Sequence, residues 1–336
     1  MLCCAGLGPA AQAGAAAEEP DRDVIGIQLL EAPVDRRSDP RALRYIVDHL
    51  PPGTTIQRQA RIVNKSPKPQ HIEVYPGAAT VTDEQFRFGA AHASNELTSW
   101  VSLDRRQLDL QPHSDARVEV SVQVPSTAAA GERYAVIWAS ASSSPNPSAN
   151  ITQINRVGIR MYLDIGPGGE PSSDFAIGEL TPARAPHGQP SLSIHVRNTG
   201  GRALDMTGSV SLSEGPAGMR AGPFEVGHGT TLAPGEPGTV TVAFPNDLPN
   251  GPWKIDVNLA SGLVSHTGTG HITFPDAGTA GHSSSLLSHL PAEWILVGGP
   301  AAAGLAVLGG LAVPILRSWR RRRESHESSD LELGGI

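Results

Sequence analysis

Cysteine is almost absent from this chain: its two cysteines, Cys3 and Cys4, stand side by side at the very start. Beyond residue 4 there is no thiol for a disulfide, a thiolate metal site or a cysteine nucleophile, so any fold must hold by packing alone. Aromatic residues make up only 4% of the chain, which makes each ring notable. Amphipathic helical periodicity is nearly absent. No Gly-x-Ser-x-Gly elbow offers a serine nucleophile, and no His-Glu-x-x-His or His-x-His pair offers a metal site. The 12 histidines are scattered, and His228, His266 and His271 could meet only through loops. No catalytic, cofactor-binding or metal-binding residue is therefore assigned, although two acidic side chains facing one cleft are not excluded by sequence. Net charge is −7; the segment after Leu316 carries +1, leaving −8 for the rest. That acidity argues against nucleic acid as a partner.

One long uncharged run is present, from Trp294 to Leu316, followed at once by Arg317, Arg320, Arg321, Arg322 and Arg323. Its length suits a helix crossing about 30 Å of hydrocarbon, and the arginine cluster sets the expected cytoplasmic side. Trp294 and Trp319 flank the run at interfacial depth, and Ala302, Ala306 and Gly310 share the four-residue spacing of close helix contacts. Residues 1–17 end in Ala15-Ala16-Ala17, suited to signal peptidase, but lack a basic start. The expected topology is a single-pass plasma-membrane protein with its N-terminal part extracellular, a transmembrane helix over 294–316 and a cytoplasmic tail over 317–336.

Between these ends the chain is rich in glycine (37) and proline (29), and short alternating segments are separated by turn signals, the pattern of an all-β fold. The clearest predicted strands are Val24–Leu30, Thr55–Asn64, Gln70–Tyr75, Ala116–Val124, Arg133–Ser140 and Val157–Ile165. A second set covers Ser191–Arg197, Gly208–Leu212, Thr239–Phe244, Lys254–Leu259 and Gly270–Phe274. The Gly/Pro/Ser stretch 166–173 reads as a linker between two immunoglobulin-like β-sandwiches, 18–165 and 174–275, with 276–293 as a stalk.

An internal repeat carries this division. Leu110-Gln111-Pro112, then Val118, Val120 and Val122, then Pro125, Gly131, Tyr134 and Val136 are matched by Leu232-Ala233-Pro234, Val240, Val242, Phe244, Pro245, Gly251, Trp253 and Ile255. Earlier in each unit a strand runs into a turn at an asparagine, Asn64 in the first and Asn198 in the second. Each unit thus has an Asn-opened turn, an inward valine strand and an aromatic delivered to the core. Tyr134, Trp138 and Trp253 are expected in the core.

The segments Ser99-Trp100-Val101-Ser102-Leu103, Leu110-Gln111-Pro112, Val118 to Pro125 and Gly131 to Trp138 together resemble the peptidoglycan-binding domain of WxL-interacting surface proteins, in its high-GC Gram-positive form, over about residues 24 to 165. The resemblance implies a non-catalytic protein that binds cell-wall peptidoglycan or a wall-associated surface protein and anchors it to the membrane. Candidate contacts are Tyr75 and Trp100, as rings for sugar stacking, and Arg105 and Arg106, as partners for stem-peptide carboxylates. An alternative is a structural or assembly subunit that takes partner proteins by strand addition at an exposed sheet edge. An enzyme such as a wall hydrolase is a third class without a supporting motif.

Overall fold

The computed structural model describes residues 24–142, 153–227 and 229–285, all of which belong to one compact unit. The expected signal segment 1–17, transmembrane helix 294–316 and tail 317–336 lie outside the described residues, as does the part of the stalk after Ser285. Among the described residues no helix is long and apolar enough to cross a membrane.

The described part is all-β. Strands β1 (Ile25–Leu29), β2 (Ile46–Leu50), β3 (Thr55–Asn64), β4 (Gln70–Thr82), β5 (Gln85–Phe88), β6 (Val101–Leu103), β7 (Gln107–Leu110), β8 (Asp115–Gln123), β9 (Gly131–Ser142) and β10 (Ile154–Ile165) build a first sandwich, with one short helix α1 (Glu96–Ser99). One of its sheets has the order β1-β3-β8-β6; the other runs β2-β10-β9-β4-β5, with β7 also on β4. A second sandwich contains β11 (Phe175–Arg184), β12 (Pro190–Asn198), β13 (Leu204–Asp205), β14 (Thr207–Ser213), β15 (Ala221–Glu225), β16 (Thr231–Leu232), β17 (Pro237–Ala243), β18 (Trp253–Ser261), β19 (Val264–Ile272), β20 (Thr279–Ala280) and β21 (Ser284–Ser285). Its main sheets are β17-β12-β11-β20, with β21 on β11, and β15-β14-β18-β19.

Alternation accounts for both interiors. Val118, Val120 and Val122 of β8 point inward against Ile137, Ala139 and Met161, while Val240 and Val242 of β17 pack with Ile194, Ile255 and Val257. Fully burying each such side chain contributes about 1.5–3 kcal/mol. The repeated asparagines close their own turns. Asn64 Nδ2 donates to the carbonyls of Lys68 (2.8 Å), Leu110 (3.1 Å) and Gln111 (3.0 Å), and its Oδ1 accepts from the Ser66 amide at 3.0 Å. Asn198 does the same for Arg202 (2.8 Å), Leu232 (3.2 Å) and Ala233 (3.0 Å), with Gly200 donating back at 3.0 Å. The two halves of the sequence repeat, the Asn turn and the Leu-x-Pro turn, are thus one hydrogen-bonded clasp made twice.

Five strands of four residues or more have no counterpart in the sequence pattern: β2, β5, β7, β11 and β15. β2 is buried on nearly every residue and so shows no alternation, and a bulge between Ile177 and Leu180 breaks the period of β11. β4 continues to Thr82 rather than ending at Tyr75. It passes through Pro76 because neither β7, which pairs residues 70–73, nor β5, which pairs 79–82, needs a donor there.

Candidate functional site

The most open hydrogen-bonding surface of the first sandwich is on β10. Along its full length β10 pairs antiparallel with β9, from Ile154 opposite Ser142 to Ile165 opposite Gly131. On its other side β2 pairs in parallel with Met161–Ile165 only. Among the described residues no strand covers that side of 154–160. In an antiparallel ladder the backbone groups of alternate residues point away from the partner, so this stretch presents a row of outward N–H and C=O groups. β1, the edge of the facing sheet, runs close beside β10. Three side chains on these two strands or next to them, Val24, Ile27 and Val157, pack on the core yet remain only partly buried.

The even-numbered residues of β10 face away from the core onto an aromatic layer. Trp138 lies across the sheet over two glycines, Gly158 opposite it on β10 and Gly77 two residues beyond its β4 partner Tyr75: a Cβ on Gly77 or Gly158 would come within 2.8 or 2.7 Å of the indole. Phe88 packs edge-on at 4.9 Å from the Trp138 ring, and His92 stacks at 4.1 Å on Tyr75. Above this layer Arg156 sits 5.0 Å from the Trp138 ring centre and donates to the Tyr75 hydroxyl at 3.2 Å. Arg160 lies 4.8 Å from the Phe86 ring and reaches Asp205 Oδ1 at 3.2 Å. Arg156 is exposed and, among the described residues, has no carboxylate partner; Ile154, at the start of the same face, is 61% exposed.

Toward its other end β10 enters a polar junction with the second sandwich. Asp205 accepts from Arg41 Nε (2.9 Å), the Tyr162 hydroxyl (2.8 Å) and Thr231 Oγ1 (2.8 Å). Arg202, 2% exposed, donates to Glu132 Oε1 at 3.0 Å, and Glu132 Oε2 accepts from the Tyr134 hydroxyl (2.9 Å) and the Ala203 amide (2.7 Å). Burial, then the Glu132 charge, pushes the Tyr134 phenol far above its ordinary range, and burial with Asp205 does the same for Tyr162. Both hydroxyls therefore stay protonated as donors. The expected linker is strapped to this junction: Glu170 pairs with Arg36 and Arg202, Ser172 accepts from the Gly201 amide at 2.8 Å, and His49 bridges Asp164 (2.6 Å) and the Gly168 carbonyl (3.1 Å). Composition alone reads 166–173 as a linker and does not reveal these anchors, which come from Arg36, His49, Gly201 and Arg202, remote in sequence.

The residues singled out from sequence do not converge. Tyr75 is 6% exposed, covered by His92 and Arg156, and Trp100 is 8% exposed, part of the first core with Arg133 over its ring at 5.7 Å. Neither ring presents a free face, which corrects the expectation of exposed stacking platforms. Trp100 is carried inward because it ends α1, where its amide bonds to the Leu97 carbonyl at 3.0 Å. Arg105 and Arg106 are exposed in the turn between β6 and β7, where Arg105 contacts Asp104 at 3.4 Å and the Arg106 carbonyl accepts from Val74 at 2.8 Å. Among the described residues no group of three or more His, Cys, Asp or Glu side chains could hold a metal ion. The open edge was not apparent from sequence, since a strand pattern does not reveal which side lacks a neighbour.

No family model matches the chain, and no curated protein matches it. Solved structures similar to it include the Salmonella enterica SafB chaperone in complex with the SafA pilin, at 8% identity and TM-score 0.40, covering 72% of this chain and 94% of that one. Two others are the E. coli chaperone DraB (11% identity, TM-score 0.36, 72% and 94% covered) and the Pseudomonas aeruginosa CupB2 chaperone (12%, 0.33, 69% and 97%). Likeness at this level lends neither an activity nor a partner to this chain.

Proposed function

We propose that this chain is a non-catalytic binding protein whose first sandwich takes a protein partner by strand addition along residues 154–160 of β10. The single observation that carries this is the half-covered edge: β2 occupies 161–165 and stops. A strand of about seven residues laid on 154–160 would extend the same sheet by backbone hydrogen bonds. The junction supports the proposal, since Arg202, Glu132 and Asp205 fix the far end of β10 and hold the edge ready without a folding cost on binding. Anchoring to a membrane through 294–316, and a wall-associated partner as the WxL-interacting resemblance implies, belong to the same proposal. Peptidoglycan as the direct ligand of Tyr75 and Trp100 is less favoured, because both rings are covered.

Photo-crosslinking in the native cell tests this. A photoreactive residue at Ile154 is expected to form adducts with a secreted protein, and one at Thr267, exposed on β19, is not. Adding that protein, purified, to the full-length chain is expected to slow amide exchange over 154–160. Adducts at both positions alike, or unchanged exchange, would contradict strand addition.

A further inference from the structure

We infer that the strand received at 154–160 alternates apolar residues with acidic ones, and that Arg156 is the residue selecting for the carboxylates. This rests on the strand-addition proposal and specifies its partner. The two faces beside the open edge differ in chemistry. On the core side an added strand would meet Val157, with Ile27 of β1 nearby, both partly buried, so inward side chains gain by being apolar. On the opposite side it would meet Arg156 and the aromatic layer formed by Trp138 and Phe88. Arg160 is already engaged by Asp205, whereas Arg156, among the described residues, touches only a phenol and an indole. A carboxylate on the added strand would complete its environment with a charge-assisted hydrogen bond.

The same arrangement disfavours a second copy of this chain as occupant. Antiparallel pairing of two such edges about Val157 would set Arg156 of each copy opposite Gly158 of the other, crowding the arginines of both copies onto one face without a counter-charge. Acidic partners are therefore preferred over self-association, and basic ones are repelled.

The test uses fluorescently labelled nine-residue peptides alternating valine with glutamate, threonine or lysine, titrated into the full-length protein. The glutamate peptide is expected to bind about three- to fivefold more tightly than the threonine peptide, with the lysine peptide weakest, as for one partly screened ion pair. The preference should shrink at high salt. Arg156→Gln should erase it, and Arg156→Glu should reverse it toward lysine. N-methylation at alternate backbone positions, on the pairing side, should abolish binding of every peptide. Equal binding of the glutamate and threonine peptides, still lost on N-methylation, would overturn the acidic preference and leave strand addition standing. Binding that survives N-methylation, or no binding by any peptide, would overturn both.

Discussion

The two sandwiches share a clasp and differ at their edges. Asn64 and Asn198 bind their Leu-x-Pro turns with matching sets of hydrogen bonds, so the repeat is a repeat of physical device as well as of letters. Each sandwich also leaves an edge open among the described residues, 154–160 of β10 in the first and Val264–Ile272 of β19 in the second. The first has an exposed isoleucine, an arginine with no carboxylate partner among the described residues, and an aromatic layer behind it. The second is built largely from Ser265, Thr267, Gly268, Thr269 and Gly270. Hydroxyls and glycines give a strand little to grip beyond its backbone, which is why the proposed function places strand addition on the first sandwich and not on the second.

The largest effects should separate the cores. Trp253 is 1% exposed in the second core and donates Nε1–H to the Pro249 carbonyl at 2.9 Å, so Trp253→Ala should cost about 3–5 kcal/mol in denaturant unfolding. Trp138 lies outside the first core, between the sheet and Arg156, and Trp138→Ala should cost about half of that, about 2 kcal/mol. Equal costs would break the distinction between a core ring and a covered outer ring. Arg202→Ala, which strands Glu132 in the junction with both side chains at most 3% exposed, should cost about 3–5 kcal/mol and split one unfolding transition into two. A single unshifted transition would show that the sandwiches are not coupled through it.

Smaller and sharper is the test of the repeat itself. Asn64→Ala and Asn198→Ala each leave carbonyls without their donor and should each cost about 1–3 kcal/mol, the two values agreeing closely. A large difference would mean that one clasp is ornamental.

Smallest is a contrast in pH dependence. In the second sandwich the His266 hydrogen bond and the Phe175 amide hold Asp174 below its ordinary value of 3.8. Its contribution is present above that value and is lost as pH falls through the lower folded-state value. In the first, burial outweighs Arg58 and raises Asp48 above 3.8, so the folded state takes up that proton first and gains relative stability as pH falls through the raised value. Asp174→Asn should therefore flatten the acid loss and Asp48→Asn should remove the opposing gain, as read from unfolding midpoints between about pH 2 and 6. Shifts of the same sign in both variants would contradict the assignment.

Much of the fold was legible because alternation and turn chemistry are local. Thr55–Asn64 is predicted to the residue, and the Asn turn and the Leu-x-Pro turn of each unit stand out as repeats, although the hydrogen bonds that join them into a clasp do not. What local patterns miss is whatever depends on a distant neighbour. β2 shows no period because it is covered on both faces, and β19 begins at Val264 rather than Gly270 because pairing with β18 carries it back to the turn. The candidate site was the least legible part. Scarcity suggested that rings such as Tyr75 and Trp100 face a ligand, but rare aromatics in a thiol-free sandwich are largely needed for packing. Arg156 carried no signal, since its significance lies in which edge of β10 lacks a partner.

The most direct test is residue-resolved amide exchange along β10 in the full-length protein, alone and with the partner captured at position 154. Alone, the outward-pointing amides of 154–160 should exchange rapidly and those of 161–165 slowly, with the break at Arg160–Met161 where β2 begins; with the partner bound, the break should vanish. Uniform protection from 154 to 165 in the free protein, or a break that persists with the partner bound, would contradict the account.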